Sequence, residues 1–150
     1  MIRHATTDDI PALIKCGREF FAEAAVLGGC NVRFSEHKLA ATLADIIGKE
    51  GAIVLVAEYD GEIVGGLAAV AFPYYFADGM TAQELFWWID PARRGGLTGV
   101  KMLRMVESWA RELGCDTLTM IAIAIPDSPA SRIYLREGFK VLEAHFMKEL

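Results

Sequence analysis

The segment that most restricts the fold joins an apolar run to an amphipathic run through a glycine-rich turn, residues 90–99. The run before it, residues 85–89, is apolar and aromatic, which predicts a buried strand. After the turn, apolar residues recur at helical spacing: Val100, Leu103, Val106, Ala110 and Leu113. Such a turn leaves backbone N–H groups unpaired beside the positive end of a helix. The unit therefore predicts a phosphate-binding turn, to which Arg93 and Arg94 would add positive charge.

The turn taken alone is a weak signal, because Gly-Gly also occurs in ordinary connections. It lacks the lysine and threonine of an ATP-binding P-loop and the full Gly-x-Gly-x-x-Gly pattern. A plain strand-to-helix connection with two solvated arginines is therefore an open alternative. An enzyme that binds nucleotide phosphates on this turn is a weaker one, because the P-loop lysine is missing.

A second informative block spans residues 125–139. Asp127 or Ser128 can cap a helix, Pro129 suits the first helical turn, and Gly138 suits a left-handed exit. The block therefore predicts a helix of about three turns that carries Tyr134 near its end.

This block resembles the Asn-x-x-Ala-x-x-Leu-Tyr-x-x-x-Gly-Phe signature of the GNAT superfamily of N-acyltransferases. The matching residues are Ala130, Ile133, Tyr134, Gly138 and Phe139. The glycine-rich turn is similar to the segment Val-x-Pro followed by Arg-Gly-x-Gly-x-Gly/Ala, whose amides hold the pyrophosphate of acetyl-CoA in that family. Its matching residues are Ile89, Pro91, Arg94, Gly95 and Gly99. The resemblance covers nearly the whole chain.

Two positions depart from the family pattern. Leu97 stands where glycine is usual, and leucine would be strained there if its φ were positive. A second register, Arg93-x-x-Gly96-x-Thr98, would instead present the Thr98 hydroxyl to a phosphate. Asp127 stands where asparagine is frequent, and a carboxylate cannot donate a hydrogen bond to the pantetheine arm.

The resemblance implies an α/β (α+β) fold in one domain, residues 1–150. The expected sheet is twisted, mixed and mostly antiparallel, with six or seven strands and about four flanking helices. Its central parallel pair, 83–90 and 116–123, would splay apart and admit the pantetheine arm. Periodicity and turn residues place the other strands at 1–3, 52–59, 62–71 and 140–148, and the other helices at 7–25, 35–48 and 98–113.

The resemblance also implies roles for individual residues. The acetyl-CoA site is expected to contain Trp88, Ile89, Arg94, Gly95, Gly96, Leu97, Thr98, Gly99 and Asp127. An amide near Trp88 or Ile89 would stabilise the oxyanion. Tyr134 matches the tyrosine that protonates the leaving sulfur, although packing alone would also explain it. Glu84 is the candidate general base. Alternation places it on the sheet face of Phe86 and Trp88, and an exposed carboxylate at the strand edge is the equal alternative.

Composition agrees with one domain whose partner is not a nucleic acid. Fifteen basic and twenty acidic residues give a net charge of −5, which lacks the basic excess of nucleic-acid binders. Three cysteines without metal or redox spacing, three scattered histidines, and no long apolar run predict a cytoplasmic chain without a metal site or a membrane span. We therefore expect acetyl transfer from acetyl-CoA to a primary amine of a small molecule or a protein.

The acceptor site follows no motif. The aromatic run 72–76 with Asp78 is one candidate wall for it, and a homodimer contact or plain loop packing explains that run equally well. Glu19, Phe20, Phe21 and Glu23 form the other candidate wall. A non-catalytic acyl-CoA-binding or regulatory module with the same fold is the alternative to an enzyme.

Overall fold

One mixed sheet organises the chain, as a computed structural model of residues 1–28, 32–123, 128–143 and 145–148 describes it. Its strands lie in sequence order: β1 (Ile2–His4), β2 (Ala52–Tyr59), β3 (Glu62–Pro73), β4 (Met80–Ile89) and β5 (Thr117–Thr119). The first four strands pair antiparallel, and β4 pairs with β5 in parallel. The predicted parallel pairing is thus confirmed, but its predicted central position is wrong within the described residues, because β5 is an edge strand of the sheet.

Helices cover both faces of this sheet. They are α1 (Ile10–Gly28), α2 (Glu36–Ile46), α3 (Thr98–Glu112) and α4 (Pro129–Arg136). Side chains alternate along each strand, so each face has its own apolar cluster. One cluster joins Leu13 of α1 and Leu43 of α2 to Val54 and Ala68. The other packs α3 onto the opposite face, through Met102, Val106, Ile53, Leu55, Leu67 and Ile89.

Two predictions about the sheet are wrong within the described residues. The sheet has five strands where six or seven were expected, and residues 140–143 and 145–148 form no strand. Their apolar side chains are exposed, as at Val141 and Phe146. Apolar alternation alone does not make a strand, because the backbone must also pair with a neighbouring strand, and this segment pairs with no described strand.

The two strands beside the expected slot also differ in length from the prediction. β4 begins at Met80, before the predicted start, and β5 ends at Thr119, well before the predicted end at residue 123. The parallel ladder therefore covers only three pairs, from Thr81–Thr117 to Gln83–Thr119. Beyond that point β4 continues without a described partner on its β5 side. Within the described ranges, no helix combines the length and the apolarity that a membrane span requires.

Candidate active site

The backbone angles of the glycine-rich turn show which of its positions require glycine. Gly95 has φ +89°, which only glycine adopts without strain, and space around its Cα is open. Leu97 has φ −83° and ψ −5°, so leucine is unstrained there. The departure at Leu97 therefore leaves the backbone path intact, and its side chain is 68% exposed.

The start of α3 leaves its amides free of side-chain capping. Leu97 is the N-cap residue, and its side chain makes no capping hydrogen bond to the first turn. The first helical bond runs from Lys101 N–H to the Leu97 carbonyl at 2.9 Å, so the amides before Lys101 belong to the unpaired group of a helix start. These donors suit the oxygens of a diphosphate.

Gly99 explains how closely α3 approaches the sheet. A Cβ at this position would lie 2.9 Å from Cζ2 of Trp87, a distance that side chains do not tolerate. The Trp87 ring also packs on Tyr134, with 5.6 Å between centroids. Its indole nitrogen is buried and has no hydrogen-bond partner among the described residues. A buried donor without a partner is costly, so this nitrogen is a polar group that the described side chains leave unsatisfied.

Arg94 is committed to contacts inside the protein. Its guanidinium pairs with both oxygens of Glu23, at 2.8 and 2.6 Å, and its Nε donates to the Ile89 carbonyl at 2.7 Å. Trp88 Nε1 donates to the same Glu23 carboxylate at 3.2 Å. Hydrogen bonding to Arg94 lowers the pKa of Glu23, which keeps the pair charged. The arginine therefore ties α1 to the turn, and its charge is largely balanced by Glu23.

Arg93 stacks on the Tyr59 ring, with its guanidinium carbon 3.8 Å from the ring centroid.

A β-bulge corrects the predicted orientation of Glu84. Ala68 pairs with Phe86, but Ala69 pairs with Glu84, so Leu85 is an extra residue in β4. The extra residue reverses the alternation. Glu84 therefore shares the α3 face with Ala69, and Phe86 packs on the opposite face. The prediction that Glu84 lies on the face of Phe86 and Trp88 is wrong for this reason.

Glu84 and Tyr134 meet where the parallel ladder ends. The Tyr134 hydroxyl lies 3.0 Å from Glu84 Oε2 and 3.1 Å from the Ile121 carbonyl oxygen. The Ile121 N–H donates to the same Glu84 oxygen at 3.1 Å. A carboxylate and a phenol thus take the place of strand pairing after Gln83–Thr119, and the two candidate catalytic residues are in direct contact.

Burial shapes the ionisation of this pair. Glu84 is 4% exposed and Tyr134 is 6% exposed. Desolvation raises the pKa of the Glu84 carboxyl to about 7, although bonds from Ile121 and Tyr134 oppose the rise. Desolvation also raises the pKa of Tyr134, and the Glu84 charge raises it further. Near neutral pH the pair can therefore hold or release one proton at Glu84, while the phenol stays protonated.

The helix that carries Tyr134 has the predicted cap. Ser128 is the N-cap and accepts from Ser131 N–H at 3.1 Å, and Pro129 occupies the first turn. Gly138 leaves the helix at φ +91°. The ring of Phe139 then packs on Tyr134 at 5.6 Å. Asp127, the other expected cap and pantetheine contact, lies outside the described residues.

Backbone geometry favours one amide for the oxyanion. Asp90 N–H donates to the Val64 carbonyl on β3, at 2.8 Å. Because successive residues of a strand point to opposite edges, Ile89 directs its N–H away from β3. The Ile89 carbonyl, which accepts from Arg94, faces that same edge. By the same alternation the Trp88 amide points toward β3, so Ile89 is the better placed of the two predicted donors.

The remaining candidates separate in space. The aromatic loop precedes Met80, at the opposite end of β4 from the glycine-rich turn, and Tyr75 and Phe76 are exposed. Glu23 lies at the turn end instead, through its bonds with Trp88 and Arg94. Within the described ranges, no cluster of three metal-ligating side chains occurs.

Sequence reasoning missed three features of the site: the Leu85 bulge, the Glu23–Arg94 pair and the direct contact of Glu84 with Tyr134. The two contacts join residues 71 and 50 positions apart. A strand that carries a glutamate next to two apolar residues gave no sign of a bulge. Only the family resemblance, which gives both residues roles in the same reaction, could have suggested that Glu84 and Tyr134 lie close together.

Comparison with known proteins identifies the family. The sequence profile of the Acetyltransferase (GNAT) family matches residues 20–139. The aminoglycoside N(6')-acetyltransferase type 1 of Stenotrophomonas maltophilia is 32% identical over 111 residues, 71% of this chain and 69% of the relative.

Solved structures share the fold. The crystal structure of a transcriptional regulator from Bacillus halodurans C-125 has a TM-score of 0.78 at 22% identity, over 100% of this chain and 99% of that chain. A predicted acetyltransferase from Clostridium acetobutylicum, solved with acetyl-CoA, has a TM-score of 0.79 at 16% identity, over 99% and 95%. These identities show likeness of fold alone. The profile match over most of the sequence and the 32% identical relative carry the further step: the chain belongs to the GNAT family of acetyltransferases.

Proposed function

We propose that this protein transfers an acetyl group from acetyl-CoA directly to a primary amine. The single observation that carries the proposal is the arrangement around β4. An uncapped helix start follows one end of the strand, and a buried phenol–carboxyl pair lies beside the point where the strand loses its parallel neighbour.

The donor would bind along that arrangement. The amides of residues 95–100 would hold the diphosphate, at a turn where Gly96 is exposed and Thr98 is half-buried. The pantetheine arm would enter the gap beyond the Gln83–Thr119 pair. The thioester carbonyl would then accept from the Ile89 amide, which stabilises the developing oxyanion.

The transfer needs few chemical groups. A neutral amine attacks the thioester carbon, the C–S bond breaks, and the electron pair goes to sulfur. Tyr134 would protonate that sulfur, because its hydroxyl is fixed beside the gap and its pKa is raised, so that it holds its proton at neutral pH.

The favoured acceptor class is a small molecule that carries several amines. The curated relative is named for aminoglycosides, which carry several amines. The acidic net charge and the exposed Glu19, one helical turn before Glu23 on α1, support a cationic acceptor. An amine on a protein terminus or lysine is the second class.

Two measurements test the proposal. Melting temperature is recorded with acetyl-CoA, CoA and ATP, and a ligand at about a hundred times its Kd should stabilise the fold by about 2.7 kcal/mol. Release of free thiol from acetyl-CoA is then followed with a panel of amines that includes aminoglycosides, simple diamines and lysine peptides. Stabilisation by acetyl-CoA without amine-dependent thiol release would favour the non-catalytic binding module. Stabilisation by ATP alone would reject acyl-CoA binding.

A further inference from the structure

The surroundings of Glu84 separate it from any incoming amine. Its side chain is 4% exposed, and one of its oxygens, Oε2, already meets the Ile121 N–H and the Tyr134 hydroxyl. A base that acts on an acceptor must lie within hydrogen-bond reach of the proton, directly or through one water. The buried position of Glu84, bonded to Tyr134, gives it that reach toward the phenol and not toward the amine.

Tyr134 cannot easily act as an acid alone. A phenol that gives its only proton to sulfur becomes a phenolate, and this one would be buried with Glu84 as its neighbour. Burial and the Glu84 charge both disfavour phenolate, which is why the pKa of Tyr134 is raised. The phenol therefore acts as an acid only if a second proton replaces the first as it leaves.

We propose that Glu84 acts through Tyr134: its carboxyl passes a proton to the phenol oxygen while the phenol passes its own proton to the leaving sulfur. This assignment rests on the proposed acetyl transfer. It makes Glu84 the positioning and proton-supplying partner of Tyr134, in place of a base for the acceptor.

The proton count closes over one turnover. The C–S bond breaks and its electron pair goes to sulfur. With Glu84 ionised, the Tyr134 O–H donates to Oε2; once Glu84 is protonated, its own O–H donates to the phenol oxygen and the Tyr134 O–H is free to face the sulfur. The Tyr134 proton then bonds to that sulfur, and the Glu84 proton moves across the 3.0 Å contact to the phenol oxygen. Glu84 is left as a carboxylate. The acceptor nitrogen releases one proton to water, and Glu84 regains one from water through Tyr134 before the next cycle.

The pH dependence has a definite sign. Glu84 must start protonated, so its contribution is present below its pKa of about 7 and is lost as pH rises through that value. A base on the amine would show the reverse, because it must start ionised. The described contacts of the pair are with Trp87, Ile121 and Phe139, none of which titrates in this range. Among the described residues, the causes of the Glu84 pKa shift are burial and the bonds from Ile121 and Tyr134, with no other charged group among them.

The test is a double-mutant cycle over pH. Steady-state kcat is measured for the wild type, Glu84→Gln, Tyr134→Phe and the double variant, with any amine that the wild type acetylates. The ratio of wild-type to Glu84→Gln rates at each pH cancels ionisation of the acceptor. Glu62→Gln, at an exposed strand position, is the matched control for loss of a carboxylate, and melting temperatures check that each variant folds.

We expect the ratio to be about 10²-fold below pH 7 and to fall as pH rises, and Glu84→Gln to have almost no further effect once Tyr134 is Phe. A ratio that rises with pH, a flat ratio, or losses that multiply in the double variant would each overturn the proposal. If Glu84→Gln does not fold, the ratio of wild type to Tyr134→Phe must show the same decline. Absence of wild-type transfer to every amine would instead reject the proposed function itself.

Discussion

The two ends of the candidate site offer different chemical groups to a ligand. The turn after β4 offers backbone amides and an exposed surface, with Gly95 at positive φ and Leu97 facing solvent. The gap between β4 and β5 offers two buried side chains, Glu84 and Tyr134, that bond to each other. Backbone donors tolerate many side-chain changes, whereas a buried polar pair tolerates almost none. Substitutions at the turn should therefore change donor affinity or stability modestly, and those in the gap should change kcat.

The largest effect is expected at the buried end. Tyr134→Phe keeps the ring contacts with Trp87 and Phe139 but removes the proton donor. We expect kcat to fall by about 10²- to 10⁴-fold, with KM for acetyl-CoA changed by no more than roughly threefold. Steady-state thiol release measures both, and the melting temperature of the variant checks that it folds. A kcat close to that of the wild type would mean that Tyr134 only packs.

The second effect concerns stability and separates the buried pair from the turn. The pKa of Glu84 is raised to about 7 from 4.5, so the folded state holds a proton that the unfolded state releases. Stability from this group is complete below pH 4.5 and is lost as pH rises toward 7, at about 1.4 kcal/mol per pH unit and roughly 3 kcal/mol in all.

Glu84→Gln removes this titration, so the free energy of unfolding of the wild type should fall relative to the variant between pH 4.5 and 7. Urea denaturation across that window measures the difference. Equal slopes for the two proteins would show that Glu84 ionises normally in the fold. The exposed Glu62→Gln should leave the slope unchanged.

What the sequence predicted correctly follows from local rules. The order of the elements up to the Tyr134 helix, the uncapped start of α3 and the Ser128 cap all depend on residues within a few positions of one another. The bulge at Leu85 follows no local rule, because the sequence of β4 does not show whether its alternation is continuous or is shifted by an extra residue. The Glu23–Arg94 pair depends on where α1 crosses the sheet, which is a property of packing and not of either segment. The resemblance indicated the roles of Glu84 and Tyr134, but not that they share one contact.

The third effect tests the turn itself through two adjacent glycines. Gly95 has φ +89°, whereas Gly96 lies outside the left-handed region, and neither would bring a Cβ within 4 Å of another group. Gly95→Ala should therefore cost about 1–2 kcal/mol of stability through backbone strain alone. Gly96→Ala should cost none, because alanine fits that conformation. Thermal denaturation without ligand compares the two, and equal losses would show that φ does not set the requirement for glycine here.

The smallest effect is expected at Leu97, the residue that departs most from the family pattern. Its φ of −83° needs no glycine, and its side chain is 68% exposed and leaves the amide free to donate. Leu97→Gly should therefore change KM for acetyl-CoA by less than about twofold and lower stability by less than about 1 kcal/mol, since glycine is accepted at an N-cap. Steady-state kinetics and urea denaturation of this variant beside Gly96→Ala give both values. A tenfold fall in KM would mean that the leucine side chain obstructs the donor, and the turn would then depend on side chains in the way that the Glu84–Tyr134 end does.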